Sequence, residues 1–219
     1  MKRIVGVVLA LALALAPPLA AQTRTRGGGG QAPRISLRPF VLATGERLAA
    51  KNTFEAAFGQ SVEPFWGAGL QLAVRRLFVE VSASRFKKTG QRAFRANGTN
   101  FGVGIPLTAT ITPFEVTGGY RFIRSTSQRL VPYLGAGVGS YGYKEVSDFS
   151  ESNENVDTRH GGYFGVAGAE LRVHRWVGVG ADVQFTHITG ILGQGGVSKD
   201  AGETDLGGIA ARVKIMVGR

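Results

Sequence analysis

From Ile35 onward, apolar and polar side chains alternate in runs of about ten residues, the period of a strand with two different faces. The clearest case is "AGAELRVHRWVGVGADVQFT" (167–186). Ala167, Ala169, Leu171 and Val173 share one parity, and Glu170 and Arg172 lie between them. After "HRW", Val177, Val179, Ala181, Val183 and Phe185 alternate with Gly178, Gly180, Asp182, Gln184 and Thr186. The same pattern predicts strands near 35–43, 64–74 and from Leu77 through Ser84. It continues over 107–122, 131–143 and the closing "LGGIAARVKIMVG", which makes eight strands. In the fourth, the apolar parity switches near Pro113. Proline donates nothing to a ladder, so a bulge is expected there.

The breaks between strands alternate in length. Those after the second, fourth and sixth strands are short ("RR", "RSTSQR", "HR"), and the others, near 44–63, 86–106, 145–159 and 189–205, are long. Short turns at one end and long loops at the other mark a transmembrane barrel. A β-sandwich has no reason to alternate so regularly. The predicted fold is therefore all-β: an eight-stranded antiparallel up-and-down transmembrane barrel with short periplasmic turns and long extracellular loops. The alternative is a soluble periplasmic ligand-binding barrel, with its apolar faces inward and its charges in water.

With the apolar faces in lipid, Arg38, Glu80, Glu115, Arg121, Glu170, Arg172, Asp182, Arg212 and Lys214 all point into the lumen. An eight-stranded barrel has an interior that side chains just fill. Charges taken out of water there must be paired and hydrogen-bonded. A nearly balanced set suits a packed, ion-paired interior and argues against a wide pore. Gly135, Gly137 and Gly139 are expected to make room for arginine and tyrosine from facing strands.

The first residues choose the compartment. Lys2 and Arg3, an apolar run from Ile4 to Ala16, Pro17-Pro18 and the small exit Ala20-Ala21 have the layout of a secretory signal peptide. The expected organisation is a signal peptide over 1–21, a flexible basic tail over 22–34 and a barrel domain over 35–219. The formal charge of +11 falls to +9 without Lys2 and Arg3. For an exported chain such a balance fits lipopolysaccharide phosphates and anionic headgroups, not nucleic acid. The absence of cysteine excludes thiol-based metal or redox chemistry.

With these features in place, the chain resembles the small eight-stranded outer-membrane barrels of the outer-membrane protein A, X and W type. The likeness covers 35–219 and is carried best by "GGYRFIRSTSQRLVPYLGAGVGSYGY" (118–143), where Tyr120-Arg121-Phe122 turns into a glycine-spaced strand. The resemblance implies a bacterial outer-membrane location, outer-membrane lipid and lipopolysaccharide as surroundings, and the barrel-assembly machinery as a partner. Such chains often finish on an aromatic residue, whereas this one ends Met216-Val217-Gly218-Arg219.

Four further stretches carry candidate chemistry. "KNTFEAAFGQ" (51–60) predicts a helix, with Asn52 and Glu55 as a capping box and Phe54, Ala57 and Phe58 on one face, at the rim or gate of the barrel. Arg85, Lys87, Lys88, Arg92 and Arg95 form a basic group in the long break after the third strand, suited to lipopolysaccharide. An acidic group, Glu145, Asp148, Glu151, Glu154 and Asp157, follows the fifth. "FTHITG" (185–190), with His187, Thr189 and the later Glu203, resembles the histidine–hydroxyl–acid set of a lipid A deacylase barrel, although a threonine stands where that set has serine. His160, His174 and His187 are not at ligand spacing, so neither a metal nor a cofactor is expected. The expected function is a non-enzymatic outer-membrane protein serving envelope structure or surface interaction through its loops. A narrow conduit for small or hydrophobic solutes and a lipid A deacylase-like enzyme are the competing roles.

Overall fold

The computed structural model describes residues 35–96, 99–125, 128–147, 156–193, 198 and 201–218; side chains are described outside 93–103. The signal peptide and tail expected over 1–34, and Asp148, Glu151 and Glu154, lie outside the described residues. The strands are β1 (Ile35–Leu48), β2 (Val62–Val74), β3 (Leu77–Ala96), β4 (Thr99–Arg121), β5 (Leu130–Ser147), β6 (Val156–His174), β7 (Val177–His187) and β8 (Gly208–Val217). Each pairs antiparallel with its neighbours in chain order, and β8 returns to β1, closing the barrel. One helix, α1 (Lys51–Phe58), sits between β1 and β2. No helix among the described residues is long and apolar enough to cross a membrane. Strands do so instead.

The outward faces show where the bilayer lies. Ile35, Leu37, Val41, Leu134, Val138, Val183, Ile215 and Val217 are all exposed on the outside of the sheet. Two aromatic rings border this apolar belt: Tyr120, Phe122 and Trp176 at the end bearing the short turns, and Trp66, Phe114, Tyr163 and Phe185 at the other. Aromatic girdles at both interfaces are what a membrane-spanning barrel presents to lipid. At the inner end, Arg75 and Arg76 alone connect β2 to β3, with Arg75 in the left-handed region at φ 55°.

Several expectations about the outer half are corrected. The break expected over 86–106 is instead a continued hairpin, since β3 runs to Ala96 and β4 starts at Thr99. β1 likewise extends to Leu48, and β5 and β6 reach into the break expected over 145–159. No register shift occurs at Pro113. The pairing of β4 with β5 runs unbroken from Leu107 to Arg121, and the irregularity between β3 and β4 falls at Gln91/Ala93. Leu107, Ala109 and Ile111 point inward on the same parity as Glu115 and Thr117. What changes at Pro113 is the polarity of the interior, not the phase of the strand.

Candidate functional site

The barrel interior has two layers of opposite chemistry. The layer level with the apolar belt is ionic, and all eight strands contribute to it. Arg38 on β1 donates from both terminal nitrogens to Glu170 on β6, at 2.6 and 2.8 Å. Arg121 on β4 adds a third bond to the same carboxylate at 3.1 Å. Arg38 also hydrogen-bonds Gln71 on β2, which passes the chain on to Glu80 on β3 at 3.1 Å. Lys214 on β8 bridges Glu80 at 3.0 Å and Asp182 on β7 at 3.2 Å. Asp182 also accepts from Arg212 and from the Tyr133 hydroxyl on β5, each at 2.5 Å. Arg212 then reaches Glu115 at 3.5 Å, which accepts from Tyr141 and Gln184, both at 2.8 Å.

The result is a continuous polar chain across the lumen. Charges removed from water are tolerated when each has a partner of opposite sign. Of the nine charged residues expected inside, eight are buried and paired. Arg172 is the exception in degree: its side chain is 31 % exposed, and it stands 4.0 Å from Glu170 near the inner mouth. Gly137 and Gly139 make room for a phenylalanine of β6 and a tyrosine of β5 itself, not for arginine. A side chain at Gly137 would collide with Phe164, and one at Gly139 with Tyr141.

Above the ionic layer the interior is mostly apolar, with inward-facing Glu46 and Glu63 set into its wall. Phe54 of α1 is buried against Phe86, with Phe58, Phe65, Ile111, Tyr143 and Leu206 in the same cluster. The Phe65 and Phe86 rings lie 5.4 Å apart, and Phe58 meets Phe86 edge-on at 6.2 Å. The helix is held from a distance. Its first residue follows Ala50, which supplies no side-chain cap, so the expected Asn52/Glu55 capping box does not form. Instead Glu203, from the loop between β7 and β8, accepts from the backbone N–H groups of Asn52 and Thr53 at 2.8 and 2.9 Å. Glu55 faces Lys51 and Ser61. Gly59 closes the helix in the left-handed conformation.

The family model of the outer membrane protein beta-barrel domain matches residues 6–213. The chain belongs to this family. Among solved structures, this outer-membrane barrel is similar to neisserial surface protein A, with 13% identity and a TM-score of 0.50 over 84% of this chain and 95% of that one. It is also similar to the N-terminal barrel of Pseudomonas aeruginosa OprF, with 12% identity and a TM-score of 0.46 over 83% and 97%. The Yersinia pestis attachment invasion locus protein Ail, solved with the heparin analogue sucrose octasulfate, gives 11% identity and a TM-score of 0.47 over 84% and 95%. No curated protein matches the chain by sequence. The protein is thus a bacterial outer-membrane barrel, with its short turns in the periplasm and α1 at the extracellular mouth.

The acid of the deacylase-like set is not brought to His187. His187 pairs through Nδ1 with Asp205 at 2.5 Å and stacks beside Tyr163, while Glu203 is committed to the helix. Thr189 joins Asp205 only through a backbone bridge.

The basic group expected in a loop lies along β3 and divides between its faces. Arg85 and Lys87 point outward. Lys88 turns toward the mouth, where it pairs with the buried Glu63 at 2.9 Å and lies over Phe58. Arg92 is half-buried, and the side chain of Arg95 is not among those described. Register supplies partners that the sequence reading missed. Thr110 of β4 is opposite both Lys87 and Lys144, and Gly142 of β5 is opposite Arg159. The Arg159 guanidinium lies over Gly142, where an added Cβ would meet the Thr112 hydroxyl at 2.7 Å and Arg159 Nη2 at 3.2 Å. Arg85, opposite the girdle residue Trp66, thus forms an outward cluster with Lys87, Lys144 and Arg159 at the outer girdle. Lys144 also reaches the exposed Asp157 at 3.5 Å. Glu46 and Glu63, opposite each other in the β1–β2 register, were also missed.

Proposed function

We infer that this barrel acts through its surface and not through its lumen, as a non-enzymatic element of the outer membrane. The observation that carries this reading is the double closure of the interior. An ion-paired layer level with the bilayer lies under an apolar core sealed by Phe54 of α1. A solute passing through would have to break both. The commitment of Glu203 to the helix, away from His187 and Thr189, favours the non-enzymatic reading.

The outward Arg85, Lys87, Lys144 and Arg159 supply the chemistry of the surface role. They stand where the headgroups of the outer leaflet begin, and two arginines and two lysines match the phosphates of lipopolysaccharide. The test is a strain lacking the protein, complemented with wild type or with Arg85→Ala/Arg159→Ala. Wild type is expected to restore resistance to detergents and hydrophobic antibiotics and to co-purify with lipopolysaccharide. The double variant, still folded by its heat-dependent gel shift, is expected to do neither. Full restoration by the variant would reject the role of this cluster.

A further inference from the structure

The periplasmic rim carries a feature that neither the closed lumen nor the outer cluster uses. The three short turns contain Arg75, Arg76, Arg124, Arg129, His174 and Arg175 and no aspartate or glutamate. The acids nearest this end, Glu170 and Glu80, are buried in the lumen and bound to Arg38, Arg121 and Lys214. An uncompensated ring of positive charge therefore faces the inner leaflet.

On one side this ring is shaped. A groove of about 430 Å³ opens between the β2–β3 and β4–β5 turns, lined by Arg76, Tyr120, Phe122, Arg124, Gln128 and Leu130. Its walls are fixed by hydrogen bonds. Arg76 donates to the Tyr120 hydroxyl at 3.1 Å and accepts from the Arg121 backbone N–H at 2.6 Å. Gln128 ties the β4–β5 turn together, accepting from the Arg124 backbone N–H at 2.7 Å and donating to the Leu130 carbonyl at 2.6 Å. The Tyr120 and Phe122 rings meet edge to face at 5.2 Å.

The groove is amphipathic. Tyr120, Phe122 and Leu130 are exposed members of the lipid-facing surface, so its apolar wall continues the belt that touches acyl chains. Arg76 and Arg124 belong to the turns beyond that belt, at headgroup depth. Basic pockets at this depth suit phosphate-bearing lipid headgroups, and guanidinium groups match phosphate oxygens. We propose that this groove binds the phosphate headgroup of an anionic phospholipid of the inner leaflet, with an acyl chain against Tyr120 and Leu130.

The full mature barrel, reconstituted in nanodiscs containing equal phosphatidylglycerol and phosphatidylcholine with identical chains, provides the test. Native mass spectrometry after detergent release reads the retained lipid. Wild type is expected to retain phosphatidylglycerol preferentially. Arg76→Ala/Arg124→Ala is expected to lose that preference severalfold, while Arg175→Ala, on another turn, retains it. Equal loss in Arg175→Ala would overturn the proposal, because general rim charge would then suffice. So would an unchanged preference in the double variant, or displacement of the lipid by a glutamate-rich peptide. A separate reporter needs no loss of arginine. Phe122→Trp, in a Trp66→Phe/Trp176→Phe background, is expected to be quenched more by brominated phosphatidylglycerol than by brominated phosphatidylcholine. Equal quenching would overturn the site.

Discussion

Glu203 caps the helix that begins beside Thr53, receiving its backbone N–H at 2.9 Å and its hydroxyl at 2.6 Å from a position 150 residues away in the chain. A carboxylate at a helix N-terminus satisfies orphan N–H donors and meets the positive end of the helix dipole. Here it also ties the loop between β7 and β8 to the plug at the mouth. Glu203→Ala is expected to cost roughly 0.5–2 kcal/mol, the usual range for losing an N-terminal cap. Hydrogen exchange should speed up in 51–58 and leave the strands unchanged. Unaltered protection of the helix would show that Phe54 alone holds it.

Glu170 is the carboxylate on which the inner end of the network converges, bound by both Arg38 and Arg121. Glu170→Ala leaves two guanidinium groups in a packed interior without their anion. The expected loss is about 3–5 kcal/mol, the range for breaking a buried pair from one side. Urea unfolding of the refolded barrel in detergent reads it. Replacing partner and acid together, Arg38→Met with Glu170→Met, is expected to cost less than Glu170→Ala alone. Additive losses would mean that the pair is not coupled.

The belt defined by the outward apolar residues predicts a depth dependence on a single surface. Leu134→Arg, inside the belt, is expected to destabilise the barrel by about 2–4 kcal/mol, and Thr89→Arg, on the outward face of β3 above the girdle, by roughly 1 kcal/mol or less. Unfolding in phospholipid vesicles compares them. Equal costs would move the boundary of the bilayer.

The part of the fold within the membrane could be read from alternation, because there one face meets lipid and the other meets charge. Arg38, Glu80, Glu170, Asp182 and Lys214 all have the inward parity that this rule assigns. The outer half obeys the opposite rule. Leu107, Ala109 and Ile111 face inward and Thr108, Thr110 and Thr112 outward, as in a soluble barrel. A rule written for lipid turns that inversion into a false change of phase at Pro113. It also turns the extended hairpin of β3 and β4 into a loop. Glu46 and Glu63 were hidden for the same reason, since both lie in a stretch that looked like loop. The cap on α1 was hidden differently: Asn52 and Glu55 offered a local solution, and only the closed fold brings Glu203 to the helix. The outward cluster needed the strand register, because Lys144 and Arg159 come from β5 and β6, across β4 from Arg85 and Lys87.

Closure of the lumen is read out by planar-bilayer recording of the refolded barrel. Insertion is verified by the heat-dependent gel shift of the same preparation. The account predicts a silent bilayer, with no stable unitary conductance in concentrated potassium chloride. Persistent, ohmic steps from the folded wild-type barrel would contradict it. They would mean that α1 and the Glu170–Arg38–Gln71–Glu80–Lys214 chain open together, and that the protein is a conduit.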